Sequence, residues 1–172
     1  MEMAGLSEEA WRLIARDELG SPLEIYSPPT VLNLTIGIVA LVIDVLIVEF
    51  TFHSMSPNAP VLAVFFLLFY AIVISIIGVW YIFKAVSDRD MRVVICTRGV
   101  AFLNGSNSGG FRWQDVLTTF YSAGRKKLST YTVHCQDGRK FVFQNLSGIQ
   151  KLAENIDVRV ARAKQSLREH LL

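Results

Sequence analysis

The chain reads as an α+β membrane protein, a transmembrane α-helical hairpin joined to a small antiparallel β-sheet or barrel that a C-terminal amphipathic helix caps. Three observations lead there. Residues 31–52 and 61–83 are apolar blocks of 22 and 23 residues without Lys or Arg. After residue 91 the pattern changes to short β-rich runs broken by turn residues, and after residue 146 apolar residues recur every three or four positions. The composition agrees: the 172 residues are 52% apolar and 19% charged, with a mean hydropathy of +0.39, which excludes a disordered chain. Two cysteines are too few for a disulfide scaffold.

Three regions follow. Residues 1–30 form an acidic segment with two basic and six acidic groups, a balance of −4. Within it, residues 7–18 carry Ala10, Leu13 and Ile14 on one helical face and stop at Gly20 and Pro22. Such a helix is too short to be stable alone, and its charge suggests docking of Glu8, Glu9 or Asp17 on basic groups elsewhere. The region from residue 84 to the end holds fifteen basic and seven acidic groups, a balance of +8, so any attraction to an anionic surface belongs there.

Residues 31–83 are the hairpin. At about 1.5 Å per residue each block covers roughly the 30 Å of a bilayer core. Lipid admits only segments that satisfy their own backbone hydrogen bonds, which a helix does. The eight residues 53–60 leave room only for a tight turn, and Trp80 and Tyr81 stand where an interfacial aromatic belt would lie. An acidic segment before a full-length span differs from a cleaved signal, so no cleavage is expected. Lys84, Arg89, Arg92 and Arg98 follow the second block while the turn has no Lys or Arg, which places both termini on the cytoplasmic side of a cell (inner) membrane as a multi-pass protein.

Polar residues inside the blocks require an explanation, because a carboxylate near mid-bilayer costs about 2.5–3.5 kcal/mol on insertion scales. Asn33, Asp44, Glu49 and Ser75 are the intramembrane polar candidates. In one reading Asp44 and Glu49, the latter with His53 at i, i+4, form a proton or ion site, which two spans could build only as an oligomer. In the other, Asn33, Asp44 and Ser75 hydrogen-bond between helices or protomers and hold the hairpin together.

Residues 87–172 form the third region. Strands are expected at 91–96 and 100–103 around a Thr97-Arg98-Gly99 turn, along 113–121 with a bend, at 129–136, and at 139–144 after the Asp137-Gly138 turn. Residues 104–110 are all turn formers and read as a loop. Ile149, Leu152, Ile156, Val160, Ala163, Leu167 and Leu171 form one face of a closing helix with Ser147 as its N-cap.

The Arg112-Trp113-Gln114-Asp115-Val116 motif after a glycine-containing loop, the hairpin running from Tyr131-Thr-Val to Asp137-Gly-Arg-Lys-Phe-Val-Phe143 and the closing helix resemble a bacterial pleckstrin-homology-like domain. More narrowly, with the opening Leu19-Gly-Ser-Pro-Leu-Glu-Ile-Tyr26, the chain resembles a family of bacterial membrane proteins in which such a domain follows two transmembrane helices. The resemblance implies a seven-stranded, partly open barrel closed by a helix, and it implies no activity.

The chemistry-bearing residues form few constellations. His53, His134 and His170 lack a zinc-ligand spacing, and no Ser, His and Asp set marks a nucleophile, so no metal, cofactor, catalytic residue or small-molecule substrate is expected. Gly105, Gly109 and Gly110 precede an extended run and not a helix, which argues against nucleotide binding. Cys96 and Cys135 could face each other across strands or serve as small apolar core residues. Nucleic acid is not an expected partner, since the aromatic residues are committed to the core. The basic loop Arg125-Lys126-Lys127, extended by Arg139 and Lys140, is the expected contact for a protein partner or anionic lipid, at about 1 kcal/mol per basic residue near such a surface. The functional expectation is therefore a membrane-anchored interaction module. The alternative is a subunit of an oligomeric channel or transporter in which Asp44 and Glu49 line the path.

Overall fold

The computed structural model describes residues 6–53, 61–105, 108–123, 128–144 and 146–169. It contains two long apolar helices and two antiparallel sheets, and it divides into two units: Met1–Pro28 with Asp90–Leu172, and Pro29–Arg89.

The second unit holds α2 (Thr30–His53) and α3 (Val61–Ser87). Their facing positions recur every seven residues, with Gly37, Asp44 and Thr51 on α2 and Ala71, Gly78 and Ala85 on α3. A seven-residue repeat returns a helix to nearly the same face, so the two helices share one continuous seam. Small residues set how closely they approach: a Cβ on Gly37 would stand 2.9 Å from the Gly78 carbonyl oxygen, and one on Gly78 would stand 3.2 Å from that of Gly37. Away from the seam the surface is almost wholly apolar and exposed, as at Val31, Leu46, Phe65, Ile72 and Phe83. The α3 helix continues four residues past the apolar block, through Lys84 to Ser87, and the expected turn at 54–60 lies outside the described residues.

The first unit begins with α1 (Glu8–Arg16), capped by the Ser7 hydroxyl, which accepts from the Ala10 N–H at 3.3 Å. Glu8 and Glu9 in its first turn and Arg16 in its last suit the helix dipole. Next comes β1 (Pro22–Tyr26), a strand not anticipated above, which pairs antiparallel with β2 (Arg92–Cys96) across the whole helical insertion, Tyr26 opposite Val93. The sheet continues as a meander through β3 (Gly99–Leu103) and β4 (Gly109–Arg112). A 3-10 turn, Trp113–Asp115, leads into a second meander of β5 (Val116–Ala123), β6 (Leu128–Cys135) and β7 (Lys140–Gln144), after which α4 (Ile149–Glu169) closes the unit. The seven strands thus form separate sheets of four and three, not a closed barrel.

Alternation assigns the two faces of β2 and β3 to two cores. Val93, Ile95, Val100 and Phe102 join Phe111, Tyr131, Val133 and Phe143 of the strands and Leu152, Ile156 and Val160 of α4 in the main core. Val94, Cys96, Ala101 and Leu103 face the other way, against Ala10, Leu13, Ile14 and Leu19. That double burial explains why residues 93–96 read as an unbroken apolar run and not as alternation. At roughly 1.5–3 kcal/mol for each fully buried large aliphatic side chain, the second core contributes enough to fix α1 in place.

The three-region division is corrected accordingly. Residues 6–28 are not a separate segment: β1 covers the edge of β2, and Leu19 fills a hollow over Gly99 and Gly110, where added Cβ atoms would lie 2.8 Å from its methyl groups. The expected docking of the N-terminal helix is present but chiefly apolar, with Glu8 paired to Arg12 and Asp17 to Arg16 within the segment itself. The helix N-cap position before Ile149 belongs to Gly148, whose carbonyl accepts from the Leu152 N–H at 3.0 Å. The Ser147 N–H instead donates to the Ser27 carbonyl at 3.1 Å.

Candidate functional site

Only Arg139 and Lys140 of the basic patch expected from the sequence fall among the described residues. Arg125, Lys126 and Lys127 lie outside the described residues. Arg139 is engaged by its own hairpin and by β4: it pairs with Asp137, lies 5.7 Å over the Phe141 ring and donates to the Gly110 carbonyl at 2.8 Å. Lys140 is exposed at the start of β7, opposite His134, whose ring meets Phe120 at 5.1 Å.

A different pair of cations is brought together. The β2–β3 turn and the end of β4 place Arg98 and Arg112 around a cleft of about 420 Å³, whose remaining lining includes Thr97, Trp113, Gln114 and Glu18. The cleft is built from the inside. The Trp113 ring is buried and its Nε1–H donates to the Thr97 carbonyl at 3.1 Å, while the Trp113 N–H donates to the Arg98 carbonyl at 3.0 Å. These two bonds lock the turn against the 3-10 segment. Arg112 is anchored by donating from Nε to the Asp17 carbonyl at 3.3 Å, and its Nη2 pairs with the Glu18 carboxylate at 2.7 Å. Glu18 reaches this position with φ at 51°, in the left-handed region that side chains other than glycine seldom adopt. The Arg112–Glu18 pair is largely solvent-exposed, so it is worth about 0–1 kcal/mol. A carboxylate from outside has only that small interaction to displace. Arg98 was noted above only as a cation in a turn, and no local signal could join it to Glu18, which meets Arg112 across 94 positions of sequence.

Two polar clusters in this unit have a structural role. Tyr26 donates to Glu24 at 2.7 Å, and Lys151 and Asn155 of α4 reach the same carboxylate, tying β1 to the closing helix. The Tyr26 bond, followed by Lys151, holds the Glu24 carboxyl below its ordinary range, while burial and Glu24 push the Tyr26 phenol up to about 12. On the other side of α4, Asp157 accepts from the Tyr131 hydroxyl at 2.7 Å and from Thr119 at 3.2 Å. Burial raises the Asp157 pKa against the opposing effect of Thr119, and burial also raises that of Tyr131.

Cys96 and Cys135 do not face each other. They belong to different sheets and different cores, and burial pushes each thiol up to about 11, which suits inert core residues. Among the described residues no group of three or more His, Cys, Asp or Glu could hold a metal ion.

In the helical unit the polar candidates separate. The Ser75 hydroxyl donates to Asp44 Oδ2 across the seam, and Asn33 is buried on the same face of α2 as Gly37. Asp44 Oδ1 is buried without a partner among the described residues. Glu49 and His53 are exposed, and no hydrogen bond or ion pair joins them. Asp44 and Ser75 thus link α2 to α3, and Glu49 is not part of that link.

Comparisons of this chain with protein-family models and with curated proteins found no match.

Proposed function

We propose that the chain is a membrane-tethered interaction module, a two-span hairpin carrying a pleckstrin-homology-like domain whose Arg98–Arg112 cleft binds an acidic segment of a protein partner. The observation that carries this reading is the insertion of both apolar helices between β1 and β2, two strands that are hydrogen-bonded neighbours in one folded unit. Pairing of Tyr26 with Val93 requires both flanks of the insertion to lie on one side of any bilayer, which supports an even number of crossings. The exposed apolar surface of α2 and α3 supports lipid as their solvent, since a soluble protein would bury such helices. The basic residues after α3 support a cytoplasmic domain and an inner-membrane location. Four plus three antiparallel strands followed by one helix support the pleckstrin-homology-like assignment.

A protein ligand has more support than an anionic lipid. The hairpin connects at the Tyr26 and Arg92 ends of β1 and β2, whereas Arg98 sits beyond the opposite end of β2. Glu18, already held by Arg112, supports a carboxylate as the group the cleft takes. The channel or transporter alternative has less support, because Asp44 is bonded inside the hairpin and Glu49 stands apart from it.

A photo-crosslinking residue at Gln114 of the full-length protein in native membranes tests the reading. A discrete protein adduct that disappears in Arg98→Ala/Arg112→Ala supports it. A lipid adduct instead would favour headgroup recognition, and no adduct dependent on the two arginines would remove the cleft from the account. The double substitution Asp44→Asn with Glu49→Gln separates the alternative: the tethered module keeps its phenotype, and a conduction pathway loses it.

A further inference from the structure

The apolar stripe of α4 runs past the core it covers. Leu152, Ile156 and Val160 are buried in the main core and Ala163 packs against it, whereas residues 165–169 are all exposed. Leu167 belongs to that stripe. It follows Val160 by seven residues and Ile156 by eleven, about two and three full turns of a helix, so its side chain leaves α4 in the same direction as theirs. It is nevertheless 44% exposed, where Val160 is 7% exposed.

The turn of helix at which burial ends is held on one flank and borders a cleft on the other. Lys164 Nζ donates to the Leu117 carbonyl at 3.1 Å, which ties the helix to the start of β5. Ala163 lines the cleft that Arg98, Arg112 and Gln114 surround. Leu167 stands one turn beyond Ala163 on the same side of α4, about 6 Å further along the axis. An uncovered aliphatic side chain thus lies within one helical turn of the cleft wall. The two cations of the cleft differ in occupancy: Arg112 holds Glu18, while Arg98 is exposed and makes no ion pair among the described residues.

We propose that Leu167 is the apolar shelf of the Arg98–Arg112 cleft, so that the site takes an acidic peptide segment with an apolar side chain next to its carboxylates. This rests on the reading of the cleft as the site for a protein partner, and it adds the apolar half of the specificity. A carboxylate on exposed guanidinium groups gains little, because water competes for both and salt screens them. Charge alone would therefore admit any acidic chain weakly. Covering Leu167 supplies the discrimination that charge lacks, since apolar area leaves water on both partners only when the ligand brings an apolar group there. An extended peptide advances about 3.3–3.6 Å per residue, so an apolar residue close in sequence to the acid has the reach to cover one helical turn.

The test titrates full-length protein in phosphatidylcholine nanodiscs against two capped, dye-labelled peptides, Gly-Leu-Glu-Glu-Leu-Gly and Gly-Ser-Glu-Glu-Ser-Gly, with fluorescence anisotropy as the readout. Leucine on both sides of the acids allows either chain direction, and the same titration of Arg98→Ala/Arg112→Ala sets the baseline. The leucine peptide is expected to bind about 5–10-fold more tightly than the serine peptide. That preference should disappear in Leu167→Ser and return in Leu167→Met. A leucine preference that survives in Leu167→Ser, or arginine-dependent binding of both peptides with equal affinity, would overturn the shelf and leave the acidic cleft standing. Binding of neither peptide, or binding unchanged in Arg98→Ala/Arg112→Ala, would overturn the cleft and the shelf with it.

Discussion

The two units bring glycine into close contact for opposite reasons. In the helical unit Gly37 and Gly78 let two backbones approach where apolar side chains face outward, so that packing and the Asp44–Ser75 bond act in place of a buried core. In the stranded unit Gly99 and Gly110 leave a hollow that a bulky residue fills: Leu19 is wholly buried over them, and a Cβ on Gly99 would stand 2.2 Å from the Phe111 carbonyl oxygen. One unit uses missing side chains to bring helices together, and the other uses them to admit a side chain from far along the chain. The same substitution therefore has different consequences in the two places.

Gly99→Ala is expected to have the largest effect, about 3–5 kcal/mol or failure of the domain to fold, because the clash is with backbone that cannot yield. Denaturant unfolding of the full-length protein in mild detergent reads it. Leu19→Ala is next, at about 3 kcal/mol from lost contacts and the cavity left behind. It should also loosen α1 enough for a thiol reagent to reach Cys96 while Cys135 stays protected; equal protection of both would separate Leu19 from the docking of α1. The matched change in the other unit, Gly78→Ala, should cost only about 1 kcal/mol, since the new methyl would meet the tip of Leu41 at 3.1 Å and the Gly37 carbonyl oxygen at 3.2 Å, distances that small adjustments relieve. Ser75→Ala should cost about 0.6 kcal/mol in the same assay. A hairpin as sensitive to Gly78→Ala as the domain is to Gly99→Ala would erase the contrast.

The smallest effect is a slope. The raised pKa of Asp157 means that the folded state holds its proton more tightly than the unfolded chain, which gives stability fully present below the ordinary aspartate range and lost as pH rises through the raised value. Glu24 acts in the opposite sense, with its contribution lost as pH falls through its depressed value. Unfolding midpoints measured from mildly acidic to neutral pH should therefore decline less steeply in Asp157→Asn than in the parent. An unchanged slope would mean that Asp157 is solvated.

Much of this architecture was legible where it depends on local pattern. Both long helices follow from long apolar runs without Lys or Arg, α4 from its three- and four-residue spacing, and β6 and β7 from alternation around Asp137-Gly138. Two strands were hidden for physical reasons. The partner of β1 lies beyond the whole helical insertion, and Pro22 with the preceding Gly20 resembles a turn, although Leu23-Glu24-Ile25-Tyr26 does carry a period of two in exposure. Gly109 and Gly110 make β4 a poor strand by propensity, and the reason for Gly110 is visible only once Leu19 occupies the space. The candidate cleft was less legible still, because Arg98, Arg112 and Glu18 meet only through that same docking, whereas Arg139, prominent in the sequence, is committed to Asp137 and Gly110.

The central claim is that one domain, built from both sides of a helical insertion, is held on one face of a membrane by that insertion. Protease protection in sealed vesicles of known orientation, with an epitope tag at each end of the full-length chain, tests it most directly. The account predicts that both tags are cleaved together in inside-out vesicles and protected together in right-side-out vesicles, with the helices retained in the membrane after alkaline extraction. Tags on opposite sides would make the pairing of β1 with β2 impossible, and full-length protein released to the aqueous phase would contradict the tether.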